Sequence, residues 1–298
     1  MSKKVKVVGI GGGHGLAATL RAASLYADEI AAVVTVADDG GSSGRLSREL
    51  GIPPPGDIRN CLVALADGSA LGDLYQHRFS AGALTGHTVG NLLIAALTEM
   101  TGDFAQAVRQ AGELLGSRGA VYPATTERVQ LGARVDGGTV SGQVAVAQSK
   151  RRIHEVYLDP PNPAAFPAAV DAIRAADQVV LGPGSLFTSL IATLLVPEIR
   201  AALLESSARM VFVCNNRIQK GETEGLDATA HFDALTAHLG TGRVDAIVVQ
   251  APLLHPDGVR YEVAELSRSG AAVVEADVSD PAGGHDPPKL AGVLGSLR

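Results

Sequence analysis

The chain has no tryptophan, and aromatic residues fill only 4% of its 298 positions. That scarcity argues against the stacking platforms that hold single-stranded nucleic acid. Positive charge is short as well, with 25 Lys and Arg against 31 Asp and Glu, a net −6. A mildly acidic surface repels nucleic acid and anionic lipid, so an anionic ligand must be held by local donors. Only two cysteines occur, Cys61 and Cys214, far apart and without CxxC spacing. Buried free thiols in a reducing compartment are the expectation. The histidines show no HExxH or paired zinc spacing. No apolar run reaches the ~18 residues of a membrane span, and Met1-Ser-Lys-Lys leads into strand residues without a signal peptide. The expected location is the cytoplasm, with neither nucleic acid nor membrane insertion.

What is present is glycine in particular places. Apolar residues make up 46% of the chain and charged residues 19%, enough for a large ordered core. Two β-branched runs, Val5–Gly9 and Val33–Ala37, read as adjacent buried strands, each running into a loop stripped of large side chains. The first loop, with Gly11, Gly12, Gly13, His14 and Gly15, leads into a helix over Leu16–Tyr26 and offers backbone N–H groups to phosphate. Its glycines at 9, 11 and 15 give GxGxxxG rather than the dinucleotide fingerprint, and no Lys-Ser/Thr follows, which excludes a Walker loop. His14 is expected to cap the helix.

The second loop, Asp38-Asp-Gly-Gly-Ser-Ser-Gly-Arg45, supplies two carboxylates, the Ser42 and Ser43 hydroxyls, Gly40 and Arg45. A Rossmann protein places its ribose-binding acid at this strand end. Adjacent carboxylates on an extended segment point to opposite sides, so one can face a ligand while the other turns to backbone or metal. An Asx-turn with serine caps is the plainer alternative. Asp57 is positioned to cap the following helix, with Arg59 and Asn60 in its first turn. An arginine there opposes the helix dipole unless an anion or carboxylate offsets it. Asp38, Asp39 and Asp57 together are candidates for a Mg²⁺ bridging phosphate oxygens. Gly86-His-Thr-Val-Gly-Asn91 opens a further helix over Leu92–Met100, with His87 and Asn91 as ligand candidates, and Asp103 caps the next.

Alternation over Val129–Val135, the turn Asp136-Gly-Gly138 and an extended Val140–Ala147 predict a β-hairpin. The segment from about 68 to 160 reads as an excursion packed on the sheet of a single 1–298 domain. Gln178–Leu181 is a third strand, ending in Gly182-Pro-Gly-Ser-Leu-Phe-Thr-Ser189, a second phosphate cradle with Gly184, Ser185 and Thr188. Phe187 stands where a nucleophile elbow needs glycine, so a serine hydrolase is disfavoured. Arg209–Cys214 is a fourth strand, followed by the polar loop that begins at Asn215, and Ala246–Gln250 is a fifth. Strands ending in polar, glycine-bearing loops and separated by helices describe a Rossmann-like, doubly wound, mainly parallel α/β sheet with helices on both faces.

Gly11–Leu16, Thr35–Leu46, Pro54–Asn60, Gly86–Asn91, Gly182–Ser189 and Gly221–Thr223 together resemble the YvcK family of putative gluconeogenesis factors, within the CofD-like superfamily. The resemblance implies a Rossmann-like fold, binding of a UDP-sugar such as UDP-N-acetylglucosamine, and a role in cell shape and peptidoglycan synthesis during gluconeogenic growth. It implies no established catalytic activity. The CofD branch instead implies a Mg²⁺-dependent 2-phospho-L-lactate transferase, with Asp38, Asp39 and Asp57 similar by motif position to its metal- and acceptor-binding acids. The chain departs from the family at His14, where threonine is usual, at Ile218-Gln-Lys220, and at Gly284, where arginine often precedes His-Asp. Tyr261 either contacts the base or sugar or belongs to the core.

Three functions follow. The first is a nucleotide-sugar-binding regulator, with the glycine cradles on the diphosphate and Asp38, Asp39, Asn91 and Asn215 on hydroxyls. The second is a Mg²⁺-dependent transferase. The third is an NAD(P)-linked oxidoreductase, weakened by the lack of a Tyr-Lys or His-Arg set. A homodimer is the base-rate assembly, and protein partners are left open.

Overall fold

In a computed structural model that describes residues 4–66, 68 and 70–298, the apolar runs form ten strands. They are β1 (Lys6–Gly11), β2 (Glu29–Val34), β3 (Ala120–Pro123), β4 (Gln130–Val135), β5 (Gly138–Ser141), β6 (Ile153–Asp159), β7 (Gln178–Leu181), β8 (Arg209–Val213), β9 (Ala246–Gln250) and β10 (Ala272–Ala276). Seven of them make one sheet in the order β10-β9-β8-β7-β1-β2-β3. Every pairing in it is parallel. The strand order reverses between β1 and β7, with Gly9 opposite Val180 on one side and Ala32 on the other. That reversal is the switch point at which the helices on either side diverge and leave a crevice beyond the strand ends.

The sheet is buried on both faces because its strands are apolar at successive positions, not alternate ones. Along β1, Val8 and Ile10 join one hydrophobic cluster and Val7 the other. The first face is covered by the helices Pro167–Ala175 and Pro197–Glu205 and by the small sheet β5-β4-β6, which buries Leu131, Ala133, Val156 and Leu158. The second carries the helices Gly13–Ala23, Gly56–Ala64, Val89–Thr101, Phe104–Leu115 and Pro287–Ser296. The stretch 68–160 is thus divided between the two faces, with β3 joining the main sheet itself.

The sheet matches the predicted fold class, with several local corrections. The second strand ends at Val34, and Thr35–Gly40 has no regular structure, so Asp38 and Asp39 stand on a loop beyond the strand. The hairpin ends at Ser141, and Gln143–Ala147 is a short helix instead of extended chain, because the positive φ of Gly142 turns the backbone there. Strands β3, β6 and β10 escaped the sequence pattern; β6 alternates weakly and lies on the edge of the small sheet. Cys61 and Cys214 are free and buried, as expected. No single helix among the described residues is long and apolar enough to cross a membrane.

Candidate functional site

Both glycine loops open at the switch point and interlock there. A Cβ on Gly15 would strike the Pro183 carbonyl and lie 2.7 Å from the Gly184 nitrogen. Gly184, at φ +134, would in turn bring one within 3.2 Å of the Gly12 oxygen. Only glycine permits this approach, so the loops that follow β1 and β7 pack backbone against backbone at the switch point. Asn215 fixes the second loop from both sides. Its Oδ1 accepts the Gly184 N–H at 2.9 Å and its Nδ2 donates to the Gly184 oxygen at 2.8 Å. Its amide thereby shapes the cradle.

Ser185 and Thr188 are likewise held by the protein. Gln219 Nε2 donates to Ser185 Oγ at 3.1 Å, and Ser185 also bonds to Glu222. The buried Glu222 carboxylate accepts the Phe187 and Thr188 N–H groups at 2.7 and 3.0 Å, with the Thr188 hydroxyl at 3.4 Å. Glu222 occupies the N-terminus of the helix Leu186–Ile191, and burial raises its pKa against those bonds. This residue lies in the Gly221-Glu-Thr223 motif, yet nothing in one sequence signals that it plugs a helix end 34 residues upstream.

His14 does not cap its helix: the cap position is Gly12, no side chain bonds there, and His14 is exposed. It instead lines a cavity of about 400 Å³ with Arg21, Asn215, Asn216, Gln219 and His285. His285 is held neutral there, its pKa pulled down to about 4 by burial despite a bond to the Cys214 carbonyl.

The three acids separate. Asp39 Oδ1 accepts the Val144 N–H at 3.0 Å, tying the second loop to the short helix after β5. Asp38 accepts the Gly40 N–H at 2.9 Å and bonds to the Ser43 hydroxyl. Asp57 is not a cap either, since its helix begins at Pro55 without a side-chain cap. It reaches the glycine loop, accepting the Gly13 N–H, and its Oδ2 blocks the space a Gly12 side chain would fill. Burial first, then the Asp38 charge, push Asp57 up to about 7. Burial raises Asp38 as well. Asp38 and Asp57 thus stand together beside the first cradle, and the Asp39 charge also acts on Asp38. No group of three or more His, Cys, Asp or Glu suited to a metal occurs among the described residues.

The remaining candidates gather on the β2 side. Arg59 Nη2 donates to Asn60 Oδ1 at 2.6 Å, and Gln76 Nε2 reaches the same oxygen at 3.4 Å. Asn91 Nδ2 donates to Ser42 Oγ at 3.1 Å, and Ser42 Oγ lies 3.0 Å from His87 Nδ1. Burial lowers the His87 pKa, and the Arg45 charge adds to the effect. The helix cap is Thr88, not His87. Arg45 Nη2 donates to the Thr85 carbonyl at 2.6 Å. Tyr261 is not brought to the crevice, for its hydroxyl donates to Glu275 on the edge strand β10 at 2.8 Å.

Fold and crevice define a class: a doubly wound α/β protein with two interlocked glycine cradles at its switch point. A family model described as "2-phospho-L-lactate transferase CofD" matches residues 7–282. The chain is 42% identical over 315 residues to the gluconeogenesis factor of Bacillus subtilis, covering all of this chain and 99% of that protein. It is 44% identical over 303 residues to the putative gluconeogenesis factor of Mycobacterium tuberculosis, covering 97% and 89%. A crystal structure of a Bacillus halodurans protein superposes with a TM-score of 0.95 at 39% identity, covering 99% of both chains. The chain belongs to the CofD family, in its YvcK-like branch of gluconeogenesis factors.

Proposed function

We propose that the chain binds a nucleotide sugar, of the UDP-N-acetylglucosamine kind, with its diphosphate across the two cradles. The observation that supports this reading is the interlock of Gly12 and Gly15 with Pro183 and Gly184, which brings two glycine loops backbone to backbone at the switch point beside a cavity that Gly15, Pro183 and Gly184 line. The adjoining cavity beside His14, Arg21 and His285 has room for the nucleoside. In this reading the protein is a cytoplasmic regulator of cell morphogenesis and peptidoglycan synthesis under gluconeogenic growth. It acts through its liganded state, as a homodimer or with partner proteins. Phosphorus NMR of UDP-N-acetylglucosamine with the protein tests it. Broadened diphosphate resonances without new products support a sensor, and unaltered resonances contradict binding.

A second reading, a Mg²⁺-dependent transferase related to 2-phospho-L-lactate transferase, is favoured by the Asp38–Asp57 pair. Two carboxylates beside a phosphate cradle are a donor set that magnesium accepts together with phosphate oxygens. Asp38 and Asp57 would hold the ion, which would neutralise charge on the diphosphate. Consumption of the nucleotide once an acceptor and Mg²⁺ are supplied would decide for this reading.

A further inference from the structure

Three helices point their N-termini at the β2 side of the crevice: Gly41–Leu50, Gly56–Ala64 and Val89–Thr101. Each brings the partial positive charge of a helix N-terminus. Arg59 stands among them, only 5% exposed. Its Nε and Nη1 have no hydrogen-bond partner, although both are sealed from solvent. Asn91, 2% exposed, has its Oδ1 in the same condition. The two are contiguous, because the backbone of Gly90 packs against the Arg59 side chain. Buried polar groups in native proteins almost always find a partner, and a buried guanidinium with two idle donors is costly.

Asp38 and Asp57 sense the Arg59 charge, yet neither takes these N–H groups. Arg78 lies close enough to lower the Arg59 pKa, so a second cation faces the same place. Donors on Arg59, an acceptor on Asn91 and helix N-termini call for a group with a negative oxygen and a hydroxyl beside it. The neighbouring segment is held by Arg45 on the Thr85 carbonyl and Arg78 Nη1 on the Gly86 carbonyl, both at 2.6 Å, and by backbone bonds between Phe79 and His87 and between Gly86 and Phe79.

From this placement we infer that Arg59 and Asn91 form an oxyanion subsite, distinct from the diphosphate cradles, for the acidic group of a hydroxylated ligand. The acid is either carried on the sugar of the bound nucleotide or belongs to a separate small molecule. The first source rests on the nucleotide reading; the second does not.

The test follows the arginine Nε–H resonances of the wild-type protein by heteronuclear NMR, alongside calorimetry of the wild type and Arg59→Gln. The probes are UDP-glucuronate against UDP-glucose, which differ by a carboxylate, and free glucuronate and inorganic phosphate in the presence of UDP. An acid on the sugar predicts that UDP-glucuronate binds at least about tenfold more tightly than UDP-glucose. Arg59→Gln then erases the preference. A separate acid predicts that glucuronate or phosphate shifts the Arg59 Nε–H with UDP present, while UDP-glucuronate gains nothing. If no uridine nucleotide binds but an acid moves that resonance, the nucleotide reading fails and the subsite stands. An Arg59 Nε–H that none of the probes moves overturns the subsite, and the wild-type spectrum decides this even if Arg59→Gln does not fold.

Discussion

Asp57→Asn should make the protein more stable at neutral and alkaline pH, by an amount that vanishes in acid. In the folded chain the Asp57 carboxyl is pushed from an ordinary 3.8 to about 7 by burial and by the charge of Asp38. Between those values the folded state binds more protons than the unfolded state, so stability falls as pH rises through the window. A tenfold change in proton affinity is worth about 1.4 kcal/mol, which sets an upper limit on the order of 4 kcal/mol. Asp57 is only half-buried at the crevice, and solvent screening reduces this to roughly 1–3 kcal/mol. Asparagine keeps an acceptor for the Gly13 N–H and removes the charge. Denaturant unfolding of wild type and variant across pH 4 to 8, without ligand, would read the difference. The expected result is a variant that gains about 1–3 kcal/mol on the wild type between the two ends. A difference that is flat with pH, or that grows toward acid, would refute the assignment of a strained carboxylate pair.

Gly15→Val should abolish nucleotide binding, since its Cβ alone collides with the Pro183 carbonyl, and should cost about 1–3 kcal/mol of stability; calorimetry and melting check both. Asn215→Ala should lose about 1–3 kcal/mol and weaken ligand binding through a loosened Gly184, measurable by the same pair of methods. Glu222→Ala strands the buried Phe187 and Thr188 N–H groups and should destabilise by about 2–4 kcal/mol, whereas Glu222→Gln, which keeps one acceptor, should cost less.

The parallel sheet was legible because its central strands are short apolar runs buried on both faces, and β1 and β7 run directly into glycine. Glycine runs likewise disclosed both cradles, since close backbone approach demands them. Strands β3 and β10 were not legible: each lies at a sheet edge and carries little continuous apolar sequence. The acids show another limit. An extended Asp38-Asp39 pair implies opposite directions, and in the structure the two carboxylates take different partners, the Gly40 and the Val144 N–H. Which one faces the crevice depends on Val144, more than a hundred residues away along the chain. Asp57 read as a cap from its place before an apolar run, but its carboxylate crosses to Gly13, a contact between two helices that local sequence does not encode. Asn215, Ser185 and Thr188 have the residue types of ligand contacts, and the structure adds that their side chains and backbone shape the second cradle.

The most direct test of the central claim is a calorimetric titration of the purified protein with UDP-N-acetylglucosamine and, separately, with UMP. The account predicts that the nucleotide sugar binds distinctly more tightly, because it alone spans both cradles, and that Gly15→Val removes that binding. UDP-N-acetylglucosamine binding no tighter than UMP, or unaffected by Gly15→Val, would contradict it.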